Sequence, residues 1–176
     1  MFETIQKGIN FDKYDQINME CTGQEALEEH DTMRSFVAAD LDDVFKANVT
    51  KASYDKPTPI QKWAIPIIMR GRDLMACAQT GSGKTVAFLL PVLTQMRRAG
   101  ITGSAFSENQ EPRAIVVGPT RELVALIHHE AHKFAYNTKI RSLLSTAVSR
   151  HDIRAMMLTL SLEHQEVRSN KMINSQ

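Results

Sequence analysis

A run of small and hydroxyl-bearing residues that ends in a lysine is the strongest chemical signal in the sequence. It comprises eight residues: Ala78, Gln79, Thr80, Gly81, Ser82, Gly83, Lys84 and Thr85. Small residues let successive backbone N–H groups turn toward a phosphate, and the positive end of a following helix adds to the attraction. Lys84 would reach the outer phosphates as a catalytic group, and Thr85 would place its hydroxyl on Mg²⁺. The run therefore predicts a binding site for ATP with Mg²⁺.

The context of this loop decides between a phosphate site and a flexible turn. The general pattern has glycine at its first position, where this chain has Ala78. The apolar residues from Asp73 to Ala78 predict a strand before the loop, and the residues from Lys84 onward predict a helix after it. A strand, a loop and a helix in this order favour the phosphate site.

Two further motifs flank the loop in sequence. Thr58 can cap a helix whose first residue is Pro59, because proline lacks only an N–H that would be unpaired there. Thr120 can cap a second helix from Arg121 to about Ala135. We expect that helix to share one apolar face made by Leu123, Leu126, Ile127, Ala131 and Phe134.

Three motifs follow one another along the chain: TPIQ at 58–61, the loop at 78–85 and PTREL at 119–123. The sequence resembles the DEAD-box RNA helicases, because these motifs stand in the order of the Q motif, motif I and motif Ia of that family. The stretches 8–15, 71–85 and 101–112 look most like the Vasa subgroup. The resemblance covers the amino-terminal part of the helicase core and fades after about Ser145.

The resemblance implies a role for residues outside the loop. Gln61 would read the N6 and N7 edge of adenine with its amide, and Tyr54 would stack on the base, with Pro59 beside them. Pro119, Thr120 and Arg121 would contribute to an RNA track that contacts the backbone without reading sequence. The alternatives are a Gln61 that merely caps a helix or faces solvent, and a solvated first helical turn at Arg121.

The elements that must position these residues alternate between strand and helix. The spacing predicts a helix from Phe36 to about Asn48 and strands at Ala114–Gly118 and 140–144. With the resemblance, they predict an α/β fold, an incomplete RecA-like P-loop NTPase domain with a parallel sheet flanked by helices. We expect an extended arm at 1–35, this partial domain at 36–146 and a divergent tail at 147–176.

The end of the sequence departs from the family. Leu126 stands where motif Ia is normally followed by glutamine, no glycine occurs beyond Gly118, and the DEAD and SAT signatures and the second domain are absent. We therefore expect a truncated form that binds ATP but hydrolyses it poorly alone. The rivals are a non-catalytic nucleotide- and RNA-binding module and, less favoured, a different P-loop ATPase. The apolar cluster from Met156 to Leu162 predicts either a helix over the sheet or an exposed surface.

The composition of the chain bears on its partners and on its cellular compartment. The net charge of +1 neither supports nor excludes RNA as a partner. Two cysteines without metal-ligand spacing favour a reducing compartment, and no apolar run reaches the length of a membrane span. We expect an intracellular, cytoplasmic protein, with the nucleus as an alternative. The Vasa-like resemblance implies perinuclear germ granules and their protein partners.

Overall fold

The structure is a computed structural model that describes residues 18–23, 26–100, 112–148 and 154–162. The expected arm before residue 18, the stretches 8–15 and 101–111 that carried the subgroup resemblance, and the end of the expected tail after residue 162 lie outside this description. Within it, four α-helices and three strands follow a short 3₁₀ helix (Glu29–Asp31) in an α/β arrangement. They are α1 (Asp43–Lys51), α2 (Pro59–Met69), α3 (Lys84–Ala99), β1 (Ala114–Gly118), α4 (Arg121–Phe134), β2 (Ile140–Val148) and β3 (Arg154–Leu162).

The helix predicted from Phe36 begins later, at Asp43. The Asp42 side chain accepts a hydrogen bond from the Val44 N–H at 3.1 Å, so the helix starts at this cap rather than at the first apolar residue. Phe36 is nevertheless buried, in a turn that precedes α1. The apolar spacing of Phe36 therefore predicted its burial correctly, but Phe36 lies before the helix rather than in it.

The sheet differs in its pairing from the predicted parallel arrangement. The strand order is β1-β3-β2, and β3 pairs antiparallel with both neighbours. Both β1 and β2 oppose β3, so they point in the same direction without touching. The short connection between Val148 and Arg154 explains the antiparallel pairing of β2 with β3, because a few residues can join adjacent antiparallel strands but not parallel ones.

The apolar cluster near the end of the described chain forms the central strand of the sheet, not the predicted helix. Leu158 and Leu160 are fully buried, whereas Thr159 between them is half-buried. This alternation is typical of a strand with one covered face. Strands β2 and β3 thus continue the sheet beyond residue 146, where the divergent tail was expected to begin.

The predicted strand before the phosphate loop does not form in the structure. Residues 73–78 join no ladder, and Leu74 and Met75 are 39% and 91% exposed. A strand is held by hydrogen bonds to a neighbour, and both edges of β3 are already occupied by β1 and β2. The segment also pairs with neither β1 nor β2 at the outer edges of the described sheet.

The core lies between the helices and one face of the sheet. It is built from fully buried side chains of four elements: Phe45 and Val49 of α1, Leu89, Leu90 and Leu93 of α3, Val124, Ala131 and Phe134 of α4, and Leu158 and Leu160 of β3. Helix α3 continues through Pro91, which is itself buried in this core. Helix α4 contacts all three strands and also packs on α3, so it connects the sheet to the helical layer.

Candidate functional site

The glycine-rich loop ends in a left-handed residue that starts α3. Gly83 has φ 89°, a backbone conformation that favours glycine, and it is the N-cap of a 16-residue helix. A Cβ on Gly83 would collide with the amide nitrogen of Gln61 and would lie 3.1 Å from Thr58 Oγ1. Glycine is therefore required here both by backbone geometry and by the close approach of α2. The predicted strand-loop-helix context is confirmed only in its loop and helix.

Gln61 connects the loop to the start of α2. Its side chain is fully buried, its Oε1 accepts from the Thr58 N–H at 2.9 Å, and its Nε2 donates to the Gly83 carbonyl at 3.2 Å. The amide thus engages backbone at both ends. It fixes the relative positions of the helix cap and the last turn of the loop. The adenine role of Gln61 stays a prediction.

Lys84 lies folded over the entrance of the loop. Its Nζ donates to the Ala78 carbonyl at 2.5 Å and to the Gln79 carbonyl at 2.6 Å. The ammonium thereby closes the loop on itself. Its position, at the amino end of α3, places a positive charge where the helix dipole also favours an anion.

A cavity of about 380 Å³ opens beside the loop. Its walls are the start of α2 at Pro59 and Ile60, the loop residues Ala78, Gln79 and Ser82 with Cys77 just before them, and the arm residues Asn18, Met19 and Glu20. This volume lies in the range of small-molecule sites, about 300–1,000 Å³. The structure thus brings four of the predicted site residues, Pro59, Ala78, Gln79 and Ser82, around one space.

Among the residues that line this cavity, Ser82 gives the clearest indication of a bound ligand. It is 6% exposed, and its Oγ has no hydrogen-bond partner. A buried hydroxyl without a partner costs free energy, so such a group points to a ligand that would satisfy it. A phosphate oxygen fits this position, because the loop offers a hydroxyl, an ammonium and a helix start in one place.

The remaining loop residues take different positions. Thr80 and Gly81 are exposed at the rim, and Gly81 has φ 81°, so the loop turns there through a second left-handed glycine. Thr85 is half-buried at the second residue of α3. Its role at Mg²⁺ stays a prediction.

Tyr54 lies against α4 rather than in the cavity wall. Its ring packs edge-on against Phe134 with centroids 5.6 Å apart, and its hydroxyl donates to Glu130 Oε2 at 3.2 Å. Burial, followed by the negative charge of Glu130 and its hydrogen bond, raises the pKa of Tyr54 far above the ordinary value. The hydroxyl therefore stays a hydrogen-bond donor. Stacking of Tyr54 on a base stays a prediction.

The residues predicted for the RNA track form an exposed turn between β1 and α4. Pro119, Thr120 and Arg121 are all exposed, and Thr120 Oγ1 accepts from the Leu123 N–H at 3.3 Å, which confirms the predicted cap. Gly118 permits the close approach behind them, since a Cβ there would lie 2.6 Å from Val124 Cγ2. The turn thus presents its backbone to solvent at the start of a helix.

Helix α4 buries Ile127, Ala131 and Phe134 of its predicted apolar face, and toward its end it also buries two charged residues that the prediction missed. Leu123 and Leu126 are 41% and 59% exposed, whereas Glu130 and Lys133 are buried and paired at 2.6 Å. The spacing of Ile127, Glu130 and Phe134 could have revealed this, because residues three and seven apart share a helix face. Charged residue types argued against reading them as buried.

The family description "DEAD/DEAH box helicase" matches residues 58–167 of this chain, past the point at Ser145 where the resemblance was expected to fade. The chain is 52% identical to "ATP-dependent RNA helicase DDX4" of Mus musculus and 53% identical to "Probable ATP-dependent RNA helicase DDX4" of Homo sapiens, each over 144 residues. These alignments cover 82% of this chain and 20% of each relative, so the chain spans about a fifth of the relatives' length.

Two solved structures resemble the fold. One is the RNA helicase Prp28 from Chaetomium thermophilum bound to ADP, with a TM-score of 0.54 and 39% identity, over 68% of this chain and 28% of that one. The other is a DEAD box protein from Methanococcus jannaschii, with a TM-score of 0.51 and 29% identity, over 60% of this chain and 27% of that one. The incomplete RecA-like fold is thereby confirmed, with the strand pairing corrected as above. Within the described residues, none of the helices combines the length and apolar content that crossing a bilayer demands.

Proposed function

Because the chain belongs to the DEAD/DEAH box helicase family, we propose that it holds ATP between the start of α2 and the loop at 78–85, as the nucleotide-binding part of an ATP-dependent RNA helicase. The observation that carries this proposal is the junction of Gln61 with Gly83, beside the unpartnered hydroxyl of Ser82. These contacts put a helix cap and a phosphate loop in fixed register.

In this proposal each part of the site has its own task. Lys84 exchanges its two carbonyl contacts for the outer phosphates of ATP, while Ser82 donates to a phosphate oxygen. Thr85 offers its hydroxyl to Mg²⁺, which when bound neutralises charge on the phosphates. Gln61 and Tyr54, with Pro59, recognise the base. Support for ATP as the nucleotide comes from the family.

RNA would contact the exposed turn at 119–121. The hydroxyl of Thr120, the guanidinium of Arg121 and the N–H groups at the start of α4 can bind phosphates without reading sequence. Such binding should weaken with salt. The Vasa-like resemblance supports a cytoplasmic, germ-granule setting with protein partners.

The test compares ATP, ADP and tripolyphosphate binding to the 176-residue chain by calorimetry. Lys84→Ala should weaken ATP binding at least about tenfold, because one charge-assisted contact is worth about 1.5–3 kcal/mol. Lys56→Ala, an exposed lysine near the start of α2, is the control and should leave binding unchanged. Equal ATP affinity in the wild type and Lys84→Ala would disprove the phosphate assignment.

Gln61→Ala separates two roles for the same amide. A base-reading role predicts weaker ATP and ADP binding and unchanged tripolyphosphate binding. Equal loss for all three ligands would instead mean that Gln61 only braces the loop through Gly83, and would refute the adenine role.

A second candidate function is nucleotide and RNA binding without turnover. It is favoured by one observation, that the tetrapeptide Asp-Glu-Ala-Asp does not occur in these 176 residues. We propose that the chain hydrolyses ATP poorly by itself, because an acidic residue normally holds Mg²⁺ in this class of enzyme. Phosphate release with and without single-stranded RNA distinguishes the two candidates, since clear RNA-stimulated turnover would exclude the binding-only function.

A further inference from the structure

A buried ion pair lies directly behind Tyr54. Lys133 Nζ and Glu130 Oε1 are 2.6 Å apart, one helical turn from each other on α4, with side chains only 3% and 12% exposed. The second carboxylate oxygen, Oε2, accepts the hydrogen bond from the Tyr54 hydroxyl at 3.2 Å. One carboxylate therefore serves two partners, an ammonium on its own helix and a phenol on the segment before α2.

Stability alone is a weak explanation for this arrangement. Removing two charges from water costs several kcal/mol per ion, and well-packed apolar residues in place of a buried pair are often equally stable. A buried pair with a third, directed hydrogen bond does something that apolar residues could not, because it fixes the orientation of its partner. The partner here is a residue that the proposed function places at the nucleotide base.

The ring of Tyr54 is held from two directions by the same helix. Phe134 contacts it edge-on with an interplanar angle of 63°, and Glu130, one turn earlier, holds the hydroxyl at the far end of the ring. These two contacts fix both the tilt of the Tyr54 ring and the rotation of its side chain relative to the backbone. A ring that is already ordered loses less freedom when a flat ligand stacks on it, so the order itself increases affinity.

We infer that Glu130 is a positioning residue for the nucleotide base, which it serves by holding the ring of Tyr54 through its hydroxyl while Lys133 holds the carboxylate. The inference rests on the proposed function, in which Tyr54 stacks on the base. It adds α4, the helix that begins at the exposed turn 119–121, to the elements that build the base site.

The test uses the ratio of ATP to tripolyphosphate affinity in the full 176-residue chain, because this ratio isolates the contribution of the base and ribose. Tyr54→Phe keeps the ring and removes the hydroxyl, and it should lower the ratio about three- to tenfold, the range of one net hydrogen bond. Tyr136→Phe removes a hydroxyl from an exposed tyrosine just beyond the same helix and should leave the ratio unchanged.

A double-mutant cycle shows whether Glu130 acts through Tyr54. Glu130→Leu alone would leave Lys133 buried without its counter-ion, so the neutral pair Glu130→Leu/Lys133→Met, which also removes the acceptor for the Tyr54 hydroxyl, is the informative background, with folding checked by circular dichroism. In this background the ratio should already be low, and adding Tyr54→Phe should change it less than twofold. An unchanged ratio in the neutral pair, or an undiminished effect of Tyr54→Phe in it, would overturn the inference.

Tyr54→Ala distinguishes the positioning role of Glu130 from the placement of Tyr54 at the nucleotide base. A lower ratio in Tyr54→Ala together with an unchanged ratio in Tyr54→Phe would overturn the role of Glu130 while leaving Tyr54 at the base. An unchanged ratio in Tyr54→Ala would refute both the positioning role and the placement of Tyr54 in the proposed function, while Lys84→Ala would still report independently on the phosphate loop.

Discussion

Gly83 shows how one residue carries two constraints. Its φ of 89° is strained for any side chain, and its missing Cβ leaves room for the amide of Gln61. The backbone constraint belongs to the loop, whereas the contact constraint belongs to the packing of α2 on that loop. A suitable substitution can separate the two.

Gly83→Ala should lower both stability and nucleotide affinity. A left-handed backbone conformation costs a side chain about 1–2 kcal/mol, and the new Cβ must also displace Gln61. Gly71→Ala is the matched control, since Gly71 has φ 72° but no atom within 4 Å of an added Cβ. We expect both variants to melt at a lower temperature and only Gly83→Ala to bind ATP more weakly. Equal ATP affinity in the two variants would mean that the contact with Gln61 is unimportant.

At the scale of elements, helix ends are held by side chains of other segments. Asp42 caps α1 and also contacts Arg97 in the last turn of α3, where Asp42 Oδ2 and Arg97 Nε are 2.7 Å apart. Arg98 in the same turn binds both carboxylate oxygens of Asp40, and this hydrogen bond lowers the pKa of Asp40. At the other end of α1, Asn48 holds the end of α4. Helix α1 is thus anchored at both ends.

Asn48→Ala should be strongly destabilising. The Asn48 amide is 2% exposed and donates to the Phe134 and Tyr136 carbonyls, each at 2.7 Å. Its loss leaves the carbonyl at the end of α4 without this donor, and an unsatisfied buried group costs about 1–3 kcal/mol. Thr50→Ala removes an exposed hydroxyl from the same helix and should change the free energy of unfolding by no more than about 0.5 kcal/mol. Urea denaturation measures both, and similar values for the two variants would contradict the anchoring role.

Asp42 should make the stability depend on pH in the acid range. Burial opposes ionisation of Asp42, but hydrogen bonds from Arg97 and the Val44 N–H and the charges of Arg97 and Arg98 outweigh it, so its pKa lies below 3.8. A carboxyl whose pKa is lower in the folded state contributes stability above the unfolded value and loses it as the pH falls through the folded value. The free energy of unfolding should therefore decline below about pH 4.

Asp42→Asn is the corresponding variant, because asparagine preserves the cap and removes only the charge. It should lower stability at pH 7 by less than about 1 kcal/mol, since the ion pair is partly exposed. It should also flatten the decline below about pH 4 in urea denaturation, in contrast to Asp43→Asn, whose side chain is 97% exposed. Identical pH profiles for Asp42→Asn and the wild type would contradict this account.

At the scale of the whole molecule, the two faces of the sheet differ. Helix α4 covers the face that carries Leu158 and Leu160, whereas the opposite face exposes Ile115, Val117 and Leu143 by 53%, 63% and 57%. Ile115 and Leu143 lie on either side of Thr159, as their register shows. Apolar side chains in adjacent rows form a patch rather than isolated exposures.

Leu143→Lys should reduce self-association of the chain and its binding of a hydrophobic dye. The substitution places a charge on the β2 side of the apolar patch, and charges on an exposed sheet discourage intermolecular packing. Val37→Lys is the control, because Val37 is 76% exposed but lies before α1, away from the sheet. Light scattering and dye fluorescence at several protein concentrations measure the effect, and equal changes in both variants would show that net charge rather than the patch is responsible.

The sequence by itself determined the local features: the loop and the helix after it, the cap at Thr120, and strand β1 at its observed bounds. These depend on residues a few positions apart. Tertiary structure alone decided that β3 enters the middle of the sheet, that residues 73–78 remain outside it, and that Glu130 and Lys133 face the core. Strand pairing depends on which distant segment occupies an edge, and a charged residue is buried only where folding supplies its partner. Neither can be read from local spacing.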